Sequence, residues 1–204
     1  MQLNLVPHPK TPPSEPFKVW VNAEYSGAFG ATASASLWFC IGAAPSRFVI
    51  PEPVEEPARA EDLWETTCFE AFVRMRGEEA YREWNFAPSG NWAAYDFASH
   101  REGKSDAEAA APYIRVEDNL TWFAVGATIA LPAKKIWDLG ISAVLEEKDG
   151  TKSYWALAHD TERVGQIFRP GEGRLRGPAG QEGLDQRKLT ATRSVAFATW
   201  LTKK

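Results

Sequence analysis

Polar and apolar side chains alternate along most of this chain instead of recurring at helical spacing, and a period of two marks strands with one buried face. In residues 67–75, Phe69, Ala71, Val73 and Met75 fall on one side and Cys68, Glu70 and Phe72 on the other. In 80–87, Arg82, Trp84 and Phe86 oppose Tyr81, Glu83 and Asn85. Further strands are expected at 17–25, 34–41, 92–97 and 120–131, the last with Phe123, Val125, Ile129 and Leu131 on one face. Leu131-Pro132 opens a short helix or turn that runs to Leu139 and closes at Gly140. The strongest turn signal is Asp149-Gly150, because glycine tolerates positive φ at no steric cost. Read as a two-residue turn, it sets Leu145 opposite Tyr154, Ala143 opposite Ala156 and Ile141 opposite Ala158 as a core face. Ser142, Val144 and Glu146 then share the other face with Ser153, Trp155 and Leu157, and His159 follows on that side.

Between these strands the chain is punctuated by residues that break regular structure. Residues 7–16 carry five prolines and read as an extended lead-in. The segment 42–61 is loop-like, with four prolines and an acidic cluster. Residues 98–112 read as a loop or one helical turn. Residues 160–187, rich in Gly, Arg and Glu, read as a long loop, and 188–204 holds a final strand at 194–201 with Val195, Phe197 and Thr199 on one face. Many short strands with little helix predict a single all-β domain over residues 1–204, an antiparallel β-sandwich whose core lies in about 17–159.

Composition narrows the partners. Hydrophobic residues at 44% and aromatics at 12% are ample for a core. A net charge of −4 provides no basic footprint for nucleic acid, and the arginines between Arg163 and Arg187 fit a solvated loop. The start, MQLNLVPHPKTPPSEP, lacks a cationic stretch followed by an apolar run, and no apolar stretch approaches the ~18 residues that span a bilayer. A cytoplasmic protein with no membrane partner is the expectation. Cys40 and Cys68 are read as buried thiols, with one disulfide between them as the alternative.

If strands 67–75 and 80–87 form a hairpin, Glu70, Tyr81, Glu83 and Asn85 gather on one face, with Trp64 at its entrance. Aromatic rings beside carboxylates and amides suit a neutral, polyhydroxylated ligand. Glu70 inside an apolar strand demands a partner, either an internal group or a ligand or water, because an uncompensated buried carboxylate is costly. Trp64 and Trp155 could stack on a sugar ring or simply pack, whereas Trp20, Trp38, Trp84 and Trp122 are expected to point inward. Three other readings start from the same residues. Glu70 and Glu83 could be the acid and nucleophile of a retaining glycosidase. His159 and Met75 could ligate haem. The sandwich could instead serve a protein partner. Glu146-Glu147 with Asp149, and Glu55-Glu56, could bind calcium but are read as solvated acids, and neither zinc spacing, a phosphate-cradling loop nor a nucleophile elbow occurs in the sequence.

The segment Trp64-Glu-Thr-Thr-Cys-Phe-Glu70-Ala-Phe, followed by Tyr81-x-Glu83-x-Asn85-x-x-Pro88-x-Gly90, resembles the DOMON-like superfamily, in particular its branch related to carbohydrate-binding module family 9. The resemblance extends through Trp92, Tyr95 and Phe97 and through Ser153, Trp155 and His159, so it touches most of 17–159. It implies an immunoglobulin-like β-sandwich whose ligands are sugars or, in other branches, haem. Carried over residue by residue, it implicates Trp64, Glu70 and Asn85 directly, and Trp155 by its position after the hairpin. This chain departs from the pattern in having Glu83 where sugar-binding modules often have a basic residue, and in its continuation from Asp160. The expected function is a non-catalytic module for a small polar ligand, a carbohydrate. Trp64, Glu70, Tyr81, Glu83, Asn85, Trp155 and His159 would hold it, without a cofactor or metal.

Overall fold

The computed structural model describes residues 1–26, 32–132, 135–159 and the backbone of 189–191. Its strands are β1 (Gln2–Pro7), β2 (Val19–Ser26), β3 (Thr32–Ile41), β4 (Cys68–Met75), β5 (Tyr81–Phe86) and β6 (Trp92–Phe97). They continue with β7 (Ser105–Asp106), β8 (Tyr113–Asp118), β9 (Phe123–Pro132), β10 (Trp137–Glu146), β11 (Lys152–Ala156) and β12 (Leu189–Ala191). The only helical pieces among the described residues are short 3-10 turns at Pro45–Arg47 and Leu63–Glu65. The order is β7-β6-β5-β4-β10-β11-β1-β2-β3-β9-β8, antiparallel except for β12, which runs parallel to β10.

Strand β1 is the fold line. Its residues 2–5 pair with β2, while Val6 and Pro7 pair with β11, so one curled sheet closes on itself as a sandwich. The back leaf presents Ala35, Leu37, Phe39 and Ile41 opposite Ile129, Ala127, Val125 and Phe123, all buried. The front leaf presents Phe69, Ala71, Val73, Trp84, Phe86, Leu139, Ile141, Ala143 and Leu145. Between the leaves, Phe39 lies 5.0 Å from Phe69 and 6.4 Å from Phe86, and Phe48 lies 5.4 Å from Phe123. Fully burying side chains of this size stabilises by about 1.5–3 kcal/mol each. Trp84 points into this core as expected, but Trp20 and Trp38 do not. They pair with Cys40 and Asn22 on the outer face of the back leaf, where Trp38 lies against Gly126 and faces Arg115.

Several elements differ from the sequence expectation, each for a local reason. The Asp149-Gly150 hairpin has a three-residue loop. Gly150 adopts φ +89, Asp149 Oδ1 accepts the Thr151 N–H at 2.8 Å, and Glu147 N–H reaches Thr151 O at 2.8 Å. The arms therefore pair Leu145 with Ser153, Val144 with Tyr154 and Ala143 with Trp155. A shift of one residue exchanges faces, so Trp155 enters the core and Tyr154 leaves it. Residues 137–139 are strand, not helix. Gly140 sits mid-strand because a Cβ there would lie 3.2 Å from that of Phe72. The long strand begins at Phe123, since Asn119 Oδ1 accepts the N–H groups of Thr121 and Trp122 and turns the chain there. β1, β7 and β8 were not expected; β8 alternates too weakly, with Ile114 and Val116 only half-buried. Cys40 and Cys68 are both free and lie on the outer faces of opposite leaves, which excludes a disulfide between them. The loop expected at 160–187 and the strand expected at 194–201 lie outside the described residues.

The proline-rich lead-in is anchored by Glu147, a residue expected to be a solvated turn acid. Its carboxylate accepts the Ser14 N–H at 2.9 Å, the Ser14 hydroxyl and Arg47 Nε at 2.7 Å. Arg47 in turn donates to Glu15 O at 2.8 Å and lies over the Phe17 ring. Burial alone would raise this carboxyl, but the hydrogen bonds from Arg47 and Ser14 outweigh it and hold Glu147 below the ordinary glutamate range. A depressed pKa contributes stability at pH values above the unfolded value and loses it as pH falls through the folded one. Glu147→Gln is therefore expected to lower the thermal midpoint at neutral pH. It should also flatten the loss of stability that wild type shows below about pH 4.5, checked by melts across pH.

Candidate ligand face

Because strand side chains alternate, the residues between the front leaf's core positions form its outer face. Cross-strand pairing arranges them in rows. One row runs Ala93, Asn85, Glu70, Ser142 and Ala156 from β6 to β11. The next runs Asp106, Tyr95, Glu83, Phe72 and Gly140, and a third runs Phe97, Tyr81, Arg74 and Asp138. On the other side of the Glu70 row lie Cys68, Val144 and Tyr154. Two loop segments reach onto this face. Tyr95 Oη donates to Glu61 Oε2 at 2.7 Å, and the Lys104 ammonium stands 3.6 Å from the centre of the Tyr95 ring. The Arg101 N–H meets Tyr81 Oη at 3.4 Å, and Tyr81 stacks on Phe97 with centroids 4.7 Å apart.

The carboxylates at its centre do not behave as surface acids. Ser142 Oγ donates to Glu70 Oε2, and Asn85 Nδ2 donates to Glu83 Oε1 at 3.0 Å. Burial, reinforced by the negative charge of Glu83 and opposed by the Ser142 hydrogen bond, pushes Glu70 up to about 8. Burial also raises Glu83, against the Asn85 hydrogen bond and the positive charges of Lys104 and Arg101. At neutral pH this pair therefore holds at least part of a proton that two exposed glutamates would release. The Cys68 thiol beside them is pushed well up, by burial first and then by the same two carboxylates, which leaves it a poor nucleophile.

Of the residues expected in the site, Glu70, Tyr81, Glu83 and Asn85 do share this face. Glu70 opposes Asn85, and Glu83 opposes Phe72, so the two glutamates are diagonal neighbours. Glu70 keeps 8% exposure while Asn85 keeps only 1%. Asn85 is therefore a support for Glu83, and Glu83, Tyr81 and Tyr154 offer the accessible polar atoms. Trp64 is half-buried on the 3-10 turn that leads into the Cys68 end of β4. The structure does not bring Trp155 or His159 to the face. Trp155 is 2% exposed in the core, packed 4.8 Å from Phe17, with its indole N–H on Ser153 Oγ at 2.9 Å. His159 bonds the Val6 carbonyl at 2.8 Å and meets His8 edge-on at 5.0 Å, at the fold line. Met75 pairs with Trp137 near the far end of β10, so Met75 and His159 do not face a common haem.

Sequence reasoning missed Ser142, Tyr95, Glu61, Arg101 and Lys104. Tyr95 was within reach, since parity across the Pro-Ser-Gly turn puts it beside Glu83. The others depend on β10 docking against β4 and on loop paths, which leave no local signal. Arg101 and Lys104, from the segment between β6 and β7, bring positive charge to Glu83.

No protein-family model matches this chain, and no curated protein does. Among solved structures, the chain is similar to a candidate carbohydrate-binding protein from Bacteroides uniformis, at 13% identity and TM-score 0.49, covering 76% of this chain and 75% of that one. It is also similar to a carbohydrate-binding module of family 9 from Caldicellulosiruptor kristjanssonii, solved with glucose at 13% identity and TM-score 0.33, covering 70% and 69%. The same module with cellotriose aligns at 14% identity and TM-score 0.33, covering 70% and 68%.

Proposed function

We propose that the outer face centred on Glu70 and Glu83 is a non-catalytic binding site for a small polar ligand, a carbohydrate. The observation that carries this reading is the half-buried set Glu83, Tyr81 and Tyr154 bordering the buried row Asn85, Glu70, Ser142: hydrogen-bonding groups held rigidly on strands, with aromatic rings next to them. Such a surface meets both halves of a sugar, its hydroxyls and its CH-rich faces. The resemblance of the Trp64 to Gly90 motifs to family 9 modules supports the same ligand class.

Isothermal titration calorimetry with neutral and amino mono- and disaccharides tests it. Wild type is expected to bind at least one sugar in the panel, and Trp64→Ala or Glu83→Gln to weaken that binding about tenfold, the loss of roughly 1.4 kcal/mol. Silence across the whole panel at millimolar sugar, or unchanged affinity in both variants, removes the site. Turnover of an activated glycoside that stops on Glu70→Gln would replace binding by hydrolysis.

A further inference from the structure

The surroundings of Tyr95 are those of a cation receptor. Its ring is flanked by Glu83 on one neighbouring strand and Asp106 on the other, and its hydroxyl is held by Glu61. Glu70 lies one row further along the same face. A ring face bordered by carboxylates favours an ammonium, through the ring quadrupole and through plain charge attraction. An ammonium is in fact there: Lys104 Nζ stands 3.6 Å from the Tyr95 centroid and acts on Glu83 with its charge. Lys104 is an exposed residue on the loop between β6 and β7, and Tyr95 beneath it is buried, so the ring face is reached only where Lys104 leaves it. A neutral sugar has nothing to offer in exchange for that contact, whereas a sugar bearing a protonated amine can take it over.

We propose that this face selects a carbohydrate carrying a primary amine, an amino sugar, and that the Lys104 ammonium occupies the amine's place over Tyr95 in the free protein. The proposal deepens the carbohydrate reading and rests on it. The ligand's amine replaces Lys104 between Tyr95 and Glu83, while its hydroxyls lie toward Glu70 and Ser142 in the adjoining row, two residues along the strands and roughly 7 Å away.

Calorimetric titration of the full chain with glucosamine, glucose and N-acetylglucosamine at neutral pH, where the amine is largely protonated and the Glu70 and Glu83 pair keeps negative charge, decides it. Glucosamine is expected to bind about tenfold tighter than the other two. Lys104→Ala, a surface change that far-ultraviolet circular dichroism should show to be folded, is expected to tighten glucosamine several-fold. Glu83→Gln should erase the preference. Glucose binding as tightly as glucosamine overturns the amine selectivity while leaving the carbohydrate site standing. Weaker glucosamine binding in Lys104→Ala overturns the stand-in role of the lysine, as does a preference that survives Glu83→Gln for the carboxylate's role. Failure of all three sugars, together with silence across the wider panel, overturns both readings.

Discussion

Asp138→Ala is expected to destabilise the fold by about 3–5 kcal/mol, among the largest losses for one substitution on the front leaf. Asp138 Oδ2 accepts Arg74 Nη2 at 3.0 Å, and its Oδ1 accepts Arg76 Nε at 3.2 Å and Nη2 at 2.9 Å. The two arginines differ in weight. Arg76 is 47% exposed and its share is screened by water, whereas the Arg74 and Asp138 side chains are each only 9% exposed. Deleting the carboxylate takes from the buried Arg74 guanidinium, beside Tyr81, the counter-charge that Asp138 supplies, so part of the desolvation cost of that charge is no longer offset. Asp138→Asn keeps the shape and an acceptor oxygen, so it should lose clearly less. Replacing both members of the pair by apolar residues of similar size should restore much of the loss, because the desolvation cost leaves together with the attraction. Urea unfolding measures this as a shift of midpoint at constant slope. If Asp138→Ala loses no more than Asp138→Asn, the pair is not what holds β10 to β4 at this end.

The same alternation that made the central face legible explains what stayed hidden. Glu70, Tyr81, Glu83 and Asn85 could be gathered from the chain alone because β4 and β5 are joined by a short turn, so parity within each strand sets which side chains face together. Ser142 could not, since it reaches Glu70 through a pairing of strands 72 residues apart. Trp155 was assigned to the wrong side by one residue: a two-residue and a three-residue loop around Asp149 use the same dipeptide but put opposite faces together. Gly140 looked like a helix stop when its role is to let Phe72 approach across the ladder. His159 carried the right chemistry for a site, yet its strand had already ended, and it fastens β1 instead. Lys104 and Arg101 lie in a polar segment without periodicity, where sequence says that a loop exists but not where it goes.

Glu70→Gln is expected to change the pH dependence of stability more than its value at acid pH. Burial, then the charge of Glu83, lifts the Glu70 carboxyl from an ordinary 4.5 to about 8 in the folded protein. The folded state therefore binds this proton more tightly than the unfolded state does. The stability so contributed is complete below about pH 4.5 and is lost progressively as pH rises toward 8. At 1.36 kcal/mol per pKa unit the wild-type loss is on the order of 5 kcal/mol, shared with Glu83, whose pKa is raised for the same reason. Glutamine cannot ionise, can still accept the Ser142 hydrogen bond, and removes the charge that opposes ionisation of Glu83. The variant should match wild type near pH 4.5 and exceed it by up to about 5 kcal/mol above pH 8, where wild type carries the Glu70 charge and the variant does not. Glu147, with its depressed pKa, contributes a slope of the opposite sign in acid, so the effects of the two glutamates fall on different limbs of the stability curve. Urea midpoints measured from pH 4.5 upward give the comparison directly. Parallel curves for wild type and Glu70→Gln would mean that the carboxyl ionises at its ordinary pKa, and hence that it is not desolvated between Asn85 and Ser142.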